Sequence, residues 1–255
     1  MTDPVLIELT RGGRVESRHA GAIALARPNG EIVAQAGDIA APVFPRSAVK
    51  AMQAVPLIEN GAADRFGFGA AEIALAAASH SGTERHVAVA AGMLARAGLS
   101  VADLGCGAHM PTGEAAARAL IRADVAPTAL NNNCSGKHAG MLATAVHLGE
   151  PTADYWRAAH PVQQRVAGVL EATAGLSLSG VTPGIDGCSL PNWPLPLAAL
   201  VQAFARIGTG EGLPPGRART FRRIMEACWA EPDMMAGPGR LDTMVLERLP
   251  RQVFL

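Results

Sequence analysis

Of the 22 basic side chains in this sequence, only Lys50 and Lys137 are lysines; the rest are arginines. Guanidinium stays protonated in proteins, whereas a buried amine can lose its proton and act as a base, a nucleophile or a metal ligand. In a chain this rich in Ala, Gly and Arg, lysine gives way to arginine wherever a solvated charge is enough. The two that persist direct attention to their neighbours. Lys50 stands three residues after Ser47, and Lys137 three after Cys134. On a helix such pairs lie about 5–6 Å apart at Cβ, which would set each amine over its hydroxyl or thiol. Ser47-Ala-Val-Lys50 fits the S-x-x-K pattern, in which a serine at a helix start attacks a carbonyl and the lysine one turn on takes its proton. Two plainer accounts stand beside it: both lysines as ordinary surface residues, and Ser47 as an N-cap.

Three other polar islands interrupt the apolar sequence. Ala78-Ser-His-Ser-Gly-Thr-Glu-Arg-His86 precedes an amphipathic stretch. Thr83 is placed to cap that helix; Ser79 and His80 precede the cap and suggest a buried segment ending at a cleft, while His86 reads as a surface residue. Asn131-Asn-Asn-Cys-Ser-Gly-Lys-His138 opens another helix. There the helix N-terminus and Lys137 would both favour a Cys134 thiolate. The third island, Asp186-Gly-Cys-Ser-Leu-Pro-Asn-Trp193, carries Cys188. If Cys188 approaches Cys134, two thiolates and the Lys137 amine make a soft set suited to zinc, with one position open. Two buried structural cysteines are the alternative. Cys106 and Cys228 lack polar company and read as core residues, and His109, His147 and His160 receive no role.

These groups need elements to hold them. Val5 to Leu9, Gly21 to Arg27 and Glu31 to Gln35 read as strands, the last two joined by the hairpin signal Pro28-Asn-Gly30. From Arg46 to Glu59 the apolar spacing is helical, which puts Ser47 in the first turn of a helix. Helices follow at about Ala70–Ala78, Glu84–Ala97, Gly113–Arg122, Gly136–His147, Pro161–Ala174, Leu195–Ile207 and Arg217–Ala230, with loops at Leu178–Pro196 and Gly208–Gly216. Strands first and helices after argue an α+β fold, an antiparallel sheet with helices, in a single domain over residues 1–255. Formal net charge is zero, with one Tyr, six Phe and three Trp. Long-range attraction to nucleic acid or an anionic membrane is therefore not expected. The N-terminus lacks the pattern of a signal peptide, and no apolar run reaches a membrane span, so a cytoplasmic protein with free thiols is expected.

The stretches FPRSAVKAMQ, ASHSGTERH, NNNCSGKHAGML and DGCSLPNWPLPLAAL, in this order, resemble the Rhizobium-type L-asparaginase II family. That family is similar in fold to serine β-lactamases, penicillin-binding proteins and glutaminases. The resemblance implies a Ser47–Lys50 nucleophile pair, a second catalytic serine at Ser79, and a zinc site of Cys134, Lys137 and Cys188 with Asp186 nearby. It implies a small-molecule amide substrate, L-asparagine, and a homodimer. Arg46, His80, Asn133 and His138 are the candidates to bind the substrate's α-amino and carboxylate groups. Glutamine is the nearest alternative substrate, and a β-lactamase or peptidase is disfavoured by the absence of S-D-N and K-T-G. Members of the family continue into a strand of the form K-x-G-A-E-G, whose lysine partners the second serine. No lysine follows Lys137 here. The expectation is a C-terminally incomplete chain lacking one or more strands, reduced in stability and activity, or an inactive zinc-binding, dimerising homologue.

Overall fold

The computed structural model describes residues 3–254. The chain opens with two hairpins. In the first, β1 (Val5–Arg11) pairs antiparallel with β2 (Arg14–Ala20) across Gly12 and Gly13, both at positive φ. In the second, β3 (Ile23–Ala26) pairs with β4 (Ile32–Ala36) around the anticipated Asn29-Gly30 turn. A short β5 (Pro42–Val43) then leads through a 3-10 turn, Arg46–Val49, into α1 (Lys50–Glu59).

Four helices follow in the first half: α2 (Ala62–Arg65), α3 (Ala70–Ala76), α4 (Glu84–Arg96) and α5 (Glu114–Ala123). Next come α6 (Ser135–Leu148) and α7 (Pro161–Ala174). A small hairpin, β6 (Gly184–Ile185) with β7 (Pro191–Asn192), carries the third polar island. Then β8 (Leu195–Pro196) pairs with β5 and runs into α8 (Leu197–Thr209). The described chain closes with α9 (Pro215–Ala230), α10 (Pro232–Met235) and α11 (Leu241–Arg248).

The fold is α+β, as expected, but its strands lie in four two-stranded ladders among the described residues. The core is helical. Every residue of α1 except Glu59 is buried, and the helix packs against α6, α7 and α9. A helix apolar all round belongs in an interior, and each of Met52, Val55 and Leu57 contributes about 1.5–3 kcal/mol by its burial. Against that background the burial of Lys50 is conspicuous. No helix among the described residues is long and apolar enough to cross a membrane.

Three differences from the sequence reading have simple causes. The strand β2 was not anticipated, because Arg-Val-Glu-Ser-Arg-His-Ala is exposed apart from half-buried Ser17 and so carries no period-two apolar pattern. The helix expected from Arg46 begins as a 3-10 turn and becomes α-helical only at Lys50. The helix expected from Leu195 starts at Leu197, since Leu195 and Pro196 form β8.

Candidate active site

Ser47 sits on the 3-10 turn, exposed, and makes no capping hydrogen bond. The residue before it, Arg46, has φ of 48°, a left-handed backbone that costs a non-glycine residue energy. Two contacts hold Arg46 there: its N–H donates to Asn192 Oδ1 at 3.3 Å, and its Nε lies 3.4 Å from Asp186 Oδ1. The β6–β7 hairpin thus braces the turn that presents Ser47.

Ser79 reaches the same place from the end of α3. Its backbone is clamped on both sides, with Ser79 N–H donating to Met235 O at 3.1 Å and Ser81 N–H to Ala236 O at 2.8 Å. Between them, His80 N–H donates to Asn133 O at 3.2 Å. At Gly237, a Cβ would run into Ser81 Oγ, so only glycine lets these segments approach so closely. The Ser47 and Ser79 hydroxyls meet at 3.4 Å, and Asn133 Nδ2 donates to Ser79 Oγ at 3.3 Å. Both serines line a cleft of about 650 Å³ together with Phe204, Ala236, Arg240 and Asp242.

Lys50 lies beneath this pair, 2% exposed. Its amine donates to Ala78 O at 2.6 Å, next to Ser79, and no hydrogen bond joins it to Ser47. Lys50 thus does not sit over Ser47 as the i, i+3 spacing predicted: its amine is turned towards the Ala78–Ser79 segment that follows α3. Burial, followed by the charge of Lys137, lowers the Lys50 pKa to about 8.

The second lysine behaves alike. Lys137, on α6, donates to Cys188 Sγ at 3.4 Å rather than to Cys134. Cys134 occupies the N-cap position of α6, and Cys188 the tip of the β6–β7 hairpin, where Ser189 takes φ of 73°. Both thiols are buried, at 4% exposure. A hydrogen bond with Cys188, opposed by burial and helped by both lysine charges, holds the Cys134 thiol far below its usual value. The same hydrogen bond, and then burial, raise Cys188. The pair is thus driven in opposite directions, Cys134 towards thiolate and Cys188 towards thiol. Burial works against charge on Lys137, but Cys134 and Cys188 outweigh it and raise its pKa.

The Lys137 amine and the Cys188 sulfur have the spacing of two ligands of one zinc ion. Tetrahedral Zn–N and Zn–S bonds of about 2.0–2.3 Å put the two ligand atoms roughly 3.6 Å apart, close to the observed separation of 3.4 Å. Among the described residues no group of three or more His, Cys, Asp or Glu side chains is gathered for a metal. Any metal held here therefore depends on the Lys137 amine. Nearby, His138 Nε2 is buried without a hydrogen-bond partner.

The structure distributes the remaining candidates unevenly. Asn133 reaches Ser79, and Arg46 is engaged by Asp186. His80 and His138 are fully buried and lie behind the cleft instead of lining it. His80 Nδ1 accepts from Gly82 N–H at 3.2 Å, so its Nε2–H faces Ser135 Oγ at 3.0 Å. His138 Nδ1 lies 2.5 Å from the Tyr155 hydroxyl. Neither imidazole is placed to touch a substrate in the cleft. His86 also departs from expectation: it is fully buried, stacks on His80 and meets Asp233 O at 2.9 Å.

Sequence reasoning missed four contributors. His109 Nε2 accepts from Asn133 N–H at 3.2 Å and so positions that residue. Tyr155, the single tyrosine, supports His138, and its rarity was a signal of the kind that singled out the lysines. Arg240 and Asp242 lie in a short helix start with no motif around them. Cys106 and Cys228 are core thiols as expected, raised to about 12 by burial.

A family model described as L-asparaginase II matches residues 7–255. No curated protein matches the chain.

Proposed function

The chain belongs to the L-asparaginase II family, and from that premise we propose that it hydrolyses L-asparagine to L-aspartate and ammonia by way of an acyl-enzyme on Ser47. The observation that carries this reading is the meeting of the Ser47 and Ser79 hydroxyls at 3.4 Å in an open cleft above a buried lysine. An unactivated primary amide demands a strong nucleophile, a proton for the leaving nitrogen and donors for the oxyanion. Ser47 Oγ forms the new bond to the side-chain carbonyl carbon, and its proton passes to the Ser79 hydroxyl 3.4 Å away and on towards the Lys50 amine beside Ala78 O, whose lowered pKa makes the neutral base accessible. The carbon–nitrogen bond breaks as ammonia departs with a proton returned from that network. Ser79, held by Asn133, relays protons between the amine and the leaving group. Water then cleaves the ester, releasing aspartate and restoring Ser47.

Cys134, Lys137 and Cys188 would hold zinc, which when bound supplies Lewis acidity and one open position. In its absence the same residues keep a cationic amine against a thiol–thiolate pair, which steadies the Asp186 hairpin behind Arg46.

The test of the reaction is ammonia release from L-asparagine by the wild-type chain and by Ser47→Ala. Loss of the nucleophile is expected to lower kcat by at least about a thousandfold, leaving only positioning and oxyanion stabilisation. Wild-type rates in Ser47→Ala would reject the acyl-enzyme route.

A further inference from the structure

Among the described residues, Arg240 and Asp242 are the only charged ones lining the cleft that holds Ser47 and Ser79. The Arg240 guanidinium and the Asp242 carboxylate enter no ion pair among the described residues. By contrast, the sequence candidates for substrate binding are already committed. Arg46 faces Asp186, the Asn133 amide donates to Ser79, and the two imidazoles are buried. The remainder of the cleft wall is apolar or small, including Phe204, Phe254 and Ala236.

Both charges sit at the start of α11, Arg240 at its cap and Asp242 in its first turn. That start is fixed relative to the serines. Gly237 N–H donates to Thr243 Oγ1 at 3.2 Å, and Thr243 Oγ1 donates to Pro232 O at 3.3 Å. The same segment accepts Ser79 N–H through Met235 O and Ser81 N–H through Ala236 O. Hydrogen bonds through the Thr243 hydroxyl and the Met235–Gly237 backbone therefore tie the start of α11 to the segment that carries Ser79.

A free amino-acid amide carries a carboxylate and an ammonium on one carbon, two bonds from the group to be cleaved or a little further. A guanidinium fork matches a carboxylate in two parallel hydrogen bonds, and a carboxylate accepts from an ammonium. We propose that Arg240 and Asp242 bind the α-carboxylate and the α-ammonium of the substrate, and so restrict the cleft to free α-amino-acid amides over simple carboxamides and amides within peptides. This rests on the amidohydrolase reading and adds to it the residues that set substrate class.

Three ligands separate the two charges: L-asparagine, succinamic acid, which lacks the α-amine, and β-alaninamide, which lacks the α-carboxylate. Binding is measured by calorimetry and turnover by ammonia release, for the wild type, Arg240→Ala, Arg240→Lys and Asp242→Asn, each checked for an unchanged thermal melt. Arg240→Ala should weaken asparagine and succinamic acid by about 10–100-fold and leave β-alaninamide unaffected. Arg240→Lys should recover part of that loss. Asp242→Asn should penalise asparagine and β-alaninamide but spare succinamic acid. Equal losses on all three ligands, no loss on any, or no charge-dependent binding by the wild type would overturn the assignment. Charge-selective binding without ammonia release would leave this assignment standing and reject the reaction; turnover without charge selectivity would do the reverse.

Discussion

Tyr155 illustrates how a single hydroxyl supports the interior behind the cleft. It is fully buried, accepts from Gly105 N–H at 2.9 Å and lies 2.5 Å from His138 Nδ1. Tyr155→Phe keeps the ring and removes the oxygen, so a backbone N–H and a ring nitrogen both lose their partner. An unsatisfied buried polar group costs about 1–3 kcal/mol, and urea unfolding of Tyr155→Phe should show a loss of that size; an unchanged midpoint would mean that water replaces the hydroxyl. Cys188 makes a second prediction at this scale. With only two sulfurs and one amine available, Cys188→Ser should reduce zinc from about one ion per chain to near none. Metal analysis after gentle purification decides it, and a wild-type chain free of zinc would leave the cluster a purely protein-bonded network.

At the scale of elements, the packing of α6 on α3 depends on one missing side chain. A Cβ on Gly136 would stand 2.6 Å from Leu75 O, a backbone atom that cannot swing aside. Gly136→Ala should therefore destabilise the fold by at least about 1–3 kcal/mol, as overpacking does, and displace Lys137 with it. Gly168, in the middle of α7, has open space around it. There the same change should stabilise by about 0.5–1 kcal/mol, because alanine is the better helix former. Thermal melts of the two variants should move in opposite directions. These local signals also explain what could be read in the sequence. Thr83 was legible as a cap because a hydroxyl before an amphipathic run has a local job, and its side chain does accept from His86 N–H. The polar islands were legible because lysine, cysteine and clustered asparagine are scarce or concentrated. Their convergence was not: nothing local to Ser47 or Ser79 says that their hydroxyls meet, or that Lys50 turns to Ala78 O. Arg240 and Asp242 were invisible for the same reason, since a cap arginine and a first-turn aspartate are ordinary on any helix.

Across the whole molecule, neutral histidines inside a helical core set the response to acid. Burial lowers His80 well below its usual value, helped by the neighbouring His86, Lys50 and His109 charges, and burial lowers His86 as well. Below about pH 6.5 the unfolded chain binds protons at these positions that the native chain refuses, so stability rises with pH there and is lost on acidification. Urea unfolding should show a decline in stability on acidification below about pH 6.5, and His86→Gln should flatten that decline; an identical slope in the variant would assign the acid response to other groups. The exposed ion pairs, such as Arg11 with Glu16 and Arg18 with Glu8, should add little and respond to salt. The clamp of Ser79 and Ser81 onto Met235 and Ala236 has a further consequence, in time. Ribosomes add about 5–20 residues per second, so the serines emerge on the order of 10–30 s before the segment that walls their cleft. On the assignment proposed above, a nascent chain carries Ser47 and Ser79 before the segment bearing Arg240 and Asp242 has left the exit tunnel, and the cleft is complete only once that segment has docked.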